Sequence, residues 1–356
     1  MPVSFFLGAN SADGFASLYD HIIDRETAHR VYILKGGPGS GKSSFMRQIG
    51  QQVSAAGQEA HYITCSADPD SLDGVIFPHL GVALLDGTMP HAVEPLIPEC
   101  VDTLINLGQW TDTDALFPLR HEISSLIQQK KKPYESATRC LQTAKVLEDE
   151  ALNLVITPDV IHKIERRTKG IIRREIRPAA RGVIQDRFLS AITPKGLVCH
   201  FDTARTLCPR LYLLKDSYGL AHLMLAPMVN TLRQQNIPAY ACYNPLRPGV
   251  QLESLLIPAL GVGFLTTNDM YPYEGDSFRR VRLDACLDTE LMQMHKQRLR
   301  FLNKCKRALL DEAVGMLAQA HTIHDELEAI YNPHIDFQPI YNRAEAIAQE
   351  IIALER

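Results

Sequence analysis

The chain has 356 residues, 46% hydrophobic and 22% charged, with a formal net charge of −4. These proportions fit a folded globular protein and exclude a disordered, collagen-like or heptad-only chain. The mild acidity excludes a global basic field for nucleic acid, and no apolar run reaches the roughly 18 residues of a membrane span. The opening MPVSFFLGANSADG lacks the basic start and long apolar stretch of a secretory signal. The eight cysteines include no close pair. They read as buried thiols in a reducing cytoplasm, not as zinc ligands or a disulfide framework.

In chain order, Val31, Tyr32, Ile33 and Leu34 form an apolar run suited to a buried parallel strand. Gly36, Gly37, Pro38, Gly39, Ser40, Gly41, Lys42, Ser43 and Ser44 follow, and match the phosphate-loop pattern. From Ser44 to about Val53 a helix is expected, with Phe45, Met46 and Ile49 on one side. The residue types have a chemical reason. Glycines let backbone N–H groups curl around phosphate oxygens, and the helix start adds its dipole. Lys42 would reach the β- and γ-phosphates, and the Ser43 hydroxyl would ligate Mg²⁺.

His61–Cys65 reads as a second strand, followed by an acidic loop with Asp68, Asp70 and Asp73. Asp68 and Asp70 are candidates for orienting an attacking water; the alternative is that Asp70 or Ser71 caps the next turn. Gly81–Asp86 is an apolar strand ending in a carboxylate, the form of a strand whose Asp86 holds Mg²⁺. His91 lies beyond it as a candidate phosphate contact, and Glu94 as a weaker general-base candidate. From Pro118 to Leu154 the pattern is helical, and Lys130–Pro133 reads as a break between two antiparallel helices. Residues 165–182 are arginine-rich, either a solvated linker helix or a lid that brings an arginine to the phosphates. A further apolar stripe from Leu287 to Ile330 marks a second helical arm, a packing surface or a seat for a protein partner or a second copy.

Self-comparison organises all of this. Residues 31–45 align with 211–225 and residues 77–85 with 257–265, at a constant offset of 180; residues 6–14 align with 188–196. The chain is one unit used twice. The first copy is 1–182, with core 1–115 and arm plus basic linker 116–182. The second is 183–356, with core 183–284 and arm 285–356. The expected architecture is α/β: two tandem three-layer αβα repeats with parallel sheets, each with a helical-hairpin arm. At that offset Gly36 becomes Asp216, Gly41 becomes Ala221, Lys42 becomes His222, Ser43 becomes Leu223 and Asp86 becomes Thr266. The second copy is expected to keep the core and lose the phosphate chemistry.

The GGPGSGKSS loop, the CSADPDSLDG and DGTMPH segments and the tandem layout resemble a bacterial family of two-repeat P-loop ATPases within the P-loop NTPase superfamily. The resemblance implies ATP binding, and an intact glycine-rich loop in both repeats; this sequence departs from the second at Asp216–Leu223. The expected function is binding of ATP, or another NTP, with Mg²⁺ at one site, and hydrolysis coupled to movement of the arms. A small-molecule or nucleotide kinase and a nucleotide sensor with little turnover are the alternatives. No guanine-specifying N-K-x-D-like motif is present, which favours ATP.

Overall fold

The computed structural model describes residues 2–90 and 92–355. The first repeat runs β1 (Val3–Phe5), a hairpin of β2 (Gly8–Ser11) and β3 (Gly14–Ser17), β4 (Arg30–Lys35), α1 (Lys42–Ala55), β5 (His61–Thr64), β6 (Leu72–Phe77), β7 (Val82–Asp86), β8 (Asp102–Asn106), the short α2 (Thr113–Leu116), α3 (Arg120–Val155) and α4 (Pro158–Glu175). The second runs β9 (Ile184–Arg187), a hairpin of β10 (Ser190–Thr193) and β11 (Gly196–Cys199), α5 (Phe201–Leu207), β12 (Arg210–Lys215), α6 (Ala221–Gln234), β13 (Ala239–Tyr243), β14 (Leu252–Ile257), β15 (Val262–Thr267), β16 (Arg279–Arg282), α7 (Thr289–Met294), α8 (Lys296–Tyr331) and α9 (Phe337–Ile352). Phe6 and Phe188, equivalent in the two repeats, exchange backbone hydrogen bonds of 2.9 and 3.0 Å.

The six-stranded sheets have matching orders, β1-β5-β6-β7-β4-β8 and β9-β13-β14-β15-β12-β16. They are mixed, which corrects the parallel sheets expected above: β6 runs antiparallel to β5 and β7, and β14 to β13 and β15. The cause is a connection too short for a crossover. Only Pro78–Gly81 separates β6 from β7, with Gly81 at φ 64°, whereas a parallel crossover needs about a dozen residues. The acidic segment after His61–Cys65 is therefore the connector of an antiparallel pair. It still opens at the sheet edge where β4 delivers the glycine-rich loop, because β5 and β4 run the same way.

The layering also differs from αβα. Along β4, Val31 and Ile33 point into a core shared with Leu211, Leu213, Leu256 and Leu265 of the second sheet. Tyr32 and Leu34 point the other way, onto Phe45, Met46 and Ile49 of α1. The two sheets thus pack on each other with the short α5 wedged between them, and the longer α1 and α9, and α4 and α6, cover the outer faces, giving four main layers. A strand apolar on both faces serves equally well under a helix or a second sheet, so residue type does not distinguish the cases.

The arms are single helices, not hairpins. α3 and α8 are 36 residues each, about 54 Å at 1.5 Å per residue. They lie antiparallel, with Ala137, Leu141 and Ala144 in one cluster with Leu310, Ala313 and Leu317. Pro133 sits inside α3 without ending it, contrary to the expected break. The next helices cross over. α4, capped by Thr157 with Pro158 at its first position, packs on α6 of the second repeat. α9, capped by Asp336, packs on α1 of the first. All eight cysteines are free; Cys208, Cys242 and Cys286 are buried, while Cys100 is exposed, against expectation. Among the described residues, no helix is long and apolar enough to cross a membrane.

Candidate functional site

Strand, loop and helix follow each other over β4, residues 36–41 and α1. Gly39 and Gly41 have φ of 67° and 79°, a left-handed backbone that L side chains resist. A side chain at Gly39 would also strike Asn332, just past α8. Lys42 folds back over the loop. Its Nζ donates to the Gly36 and Gly37 carbonyls at 3.0 Å each and lies 3.8 Å from Asp86 Oδ2. Asp86 ends β7, beside Leu34 of β4, and its Oδ1 accepts from the Thr88 backbone N–H at 2.8 Å. The Ser43 hydroxyl accepts from the Leu72 N–H at 2.9 Å, fastening the start of α1 to β6.

These residues line a cleft of about 1000 Å³. Its other wall comes from the arms: Ile127, Lys130, Tyr134 and Leu141 of α3, and Leu317, His321, His324 and Glu328 of α8. Phe337 and Tyr341 of α9, stacked with centroids 6.3 Å apart, complete it next to Gly41. The second repeat therefore closes a site whose loop belongs to the first.

Gly36, Pro38, Gly39, Ser40, Gly41, Lys42, Ser43, Ser44, Asp68, Asp70 and Asp86 all line this cleft. The two loop acids have structural partners. Asp68 takes the Asp70 N–H and the Ser71 hydroxyl, the turn-capping arrangement. Asp70 is ion-paired with Lys195 of the opposite hairpin, which holds its carboxyl below the usual range. Asp73, on β6, accepts from the Tyr19 hydroxyl at 2.5 Å. Glu94 does not join the site: it lies on the surface, 2.7 Å from Lys35 Nζ. His91 lies outside the described residues. The arginine-rich segment forms α4 and its exit, on the far side of the second sheet. Arg174 pairs there with Glu175 at 2.8 Å, and no residue of 165–182 lines the cleft. The arm residues Lys130, His324 and Glu328 had no signal in the sequence beyond lying on amphipathic helices.

The donor set fits a magnesium ion held with a phosphate. A hydroxyl and one carboxylate, completed by phosphate oxygens and water, suit Mg²⁺, which takes few protein ligands. Among the described residues no group of three or more His, Cys, Asp or Glu could cage a metal alone.

The equivalent cleft in the second repeat is smaller, about 370 Å³. Asp216 is buried in its loop and accepts the N–H groups of Tyr218, Leu220 and Ala221 at 3.1, 2.9 and 2.7 Å. The backbone donors that would face an anion are taken by the chain's own carboxylate. The loop is one residue shorter, so the constant offset fails here. His222, whose Nδ1 accepts the Leu252 N–H at 3.1 Å, matches Ser43, and Ala221 matches Lys42. The 180-residue alignment had set His222 against Lys42.

Comparison with family models, with curated proteins and with solved structures finds no match to this chain.

Proposed function

We propose that the first repeat is a P-loop domain that binds a Mg²⁺-nucleoside triphosphate, ATP foremost, and hydrolyses it, and that the second is its phosphate-free scaffold. The observation that carries this reading is Lys42 on left-handed glycines at the start of α1, 3.8 Å from the carboxylate ending the neighbouring strand. Residues 36–41 would cradle the phosphates with backbone N–H groups, and Lys42 would exchange its carbonyl contacts for phosphate oxygens. Ser43 and Asp86 would hold Mg²⁺, which supplies charge neutralisation at the phosphates. The stacked Phe337 and Tyr341 offer an aromatic face to a purine.

Calorimetry with MgATP tests this. One nucleotide per chain is expected, and Lys42→Ala should weaken it roughly 10- to 100-fold, the range for a charge-assisted hydrogen bond. Two nucleotides per chain, or an unaffected Lys42→Ala, would overturn it. One feature favours a kinase instead: the cleft runs on along the arms past Ile127, Tyr134 and Leu141, leaving an apolar wall for a second substrate. Nucleoside diphosphate formed only with an added acceptor would support that reading; phosphate released without one supports hydrolysis.

A further inference from the structure

The arms are equal in length, so the repeats can be compared position by position. Lys130 of α3 matches Lys306 of α8, and Glu148 of α3 matches His324 of α8. Each lysine meets the other helix's partner across the antiparallel pair: Lys130 Nζ is 3.1 Å from His324 Nδ1, and Lys306 Nζ is 3.2 Å from Glu148 Oε1. The geometry is the same and the chemistry is not. In the second repeat, where Asp216 fills the loop, the lysine is neutralised by a carboxylate. In the first, the matching lysine faces an imidazole.

That imidazole carries no compensating charge. An ammonium has no lone pair, so His324 Nδ1 accepts and its proton sits on Nε2, 3.5 Å from Glu328 Oε1. Burial and the adjacent Lys130 hold His324 down at a pKa of about 4, so it is neutral near pH 7. Glu328 Oε1 in turn accepts the Gly39 N–H at 3.1 Å. A continuous line runs from the glycine-rich loop through Glu328 and His324 to Lys130. At its loop end, a carboxylate occupies an amide that a phosphate needs.

We propose that Lys130 is the cation that meets the terminal phosphate of a triphosphate bound at the first loop, with Glu328 holding the Gly39 amide until that phosphate displaces it. The inference rests on the P-loop reading of the site and adds to it the arm residue that distinguishes triphosphate from diphosphate. Lys130 lines the same cleft as Lys42 and Asp86, and the polar side chain its ammonium meets there is the neutral His324, at 3.1 Å. Its replacement should remove an interaction made only with the terminal phosphate.

The test uses the full chain and two ligands, ADP and the non-hydrolysable β,γ-imido analogue of ATP, each with Mg²⁺. Lys130→Met should weaken the triphosphate analogue about tenfold or more and leave ADP within about twofold, the scale of one charge-assisted contact. Lys130→Arg should restore part of the preference. His324→Glu copies the second repeat's pair into the first and neutralises Lys130 in place; it should lower the triphosphate preference without removing the lysine. It also serves if Lys130→Met fails to fold. An unchanged ratio of the two affinities in Lys130→Met and in His324→Glu overturns the proposal while leaving nucleotide binding intact. A wild-type chain that binds neither ligand overturns the P-loop reading and this inference with it.

Discussion

Among the differences between the two loops, the buried carboxylate of Asp216 reaches furthest into its own loop. Asp216 gives its loop an internal carboxylate, and the buried Glu253 lies near it. Burial, then the nearby Glu148 and Asp216 charges, raise the Glu253 pKa to about 7, although the Ser190 hydroxyl donates to it at 2.5 Å. A folded-state value above the unfolded one means the native state holds the extra proton. Stability therefore falls as pH rises from the ordinary glutamate range to about 7, and the loss stays above it. Glu253→Gln should be more stable than the parent at pH 8, by up to roughly 3 kcal/mol, and nearly equal to it at pH 4.5. Urea unfolding at the two pH values measures this; equal differences at both would refute it. His222→Ala should leave nucleotide affinity unchanged and cost roughly 1–3 kcal/mol, since the Leu252 N–H loses its acceptor. At this scale the glycine-rich loop and Asp86 were legible because their types and spacing are chemical. The match of His222 to Ser43 was not, because a one-residue deletion hides in a loop and surfaces only when the strands are paired.

At the level of elements, the strand–loop–helix unit and the repeat could be read from local pattern. β6 could not be recognised as antiparallel from its composition, since all six of its residues are buried. Its four-residue link to β7 was the available signal. Local pattern predicts a break at Pro133, since proline inside a helix costs about 3 kcal/mol. Packing of Tyr134, Ala137 and Leu141 against α8 overrides that preference. Pro133→Ala should therefore raise thermal stability, by roughly 1–3 kcal/mol at the melting temperature, without altering nucleotide affinity. A lower Tm would mean that the proline stabilises the arm's course.

For the whole molecule, the crossover of α4 and α9 decides what folds. Residues 1–182 made alone would expose the α1 face that α9 covers and the sheet face buried on the second repeat. The separate halves should lack fixed near-UV circular dichroism and bind a hydrophobic dye, and regain packing when mixed. A cooperative melt from 1–182 alone would contradict this. No sequence pattern within either repeat shows the exchange, because an amphipathic helix carries no label for the repeat it covers.

The shared chain also has a genetic consequence. If the same halves were identical subunits of a dimer, any change in the glycine-rich loop would strike both sites together. Here Asp216 alters one loop and leaves the other intact. The second half can thus diverge in its own loop while still supplying His324, Glu328 and the aromatic pair to the cleft of the first. Substitutions in residues 296–341 are therefore expected to appear as defects at a cleft whose loop, residues 36–44, lies more than 250 residues earlier in the chain.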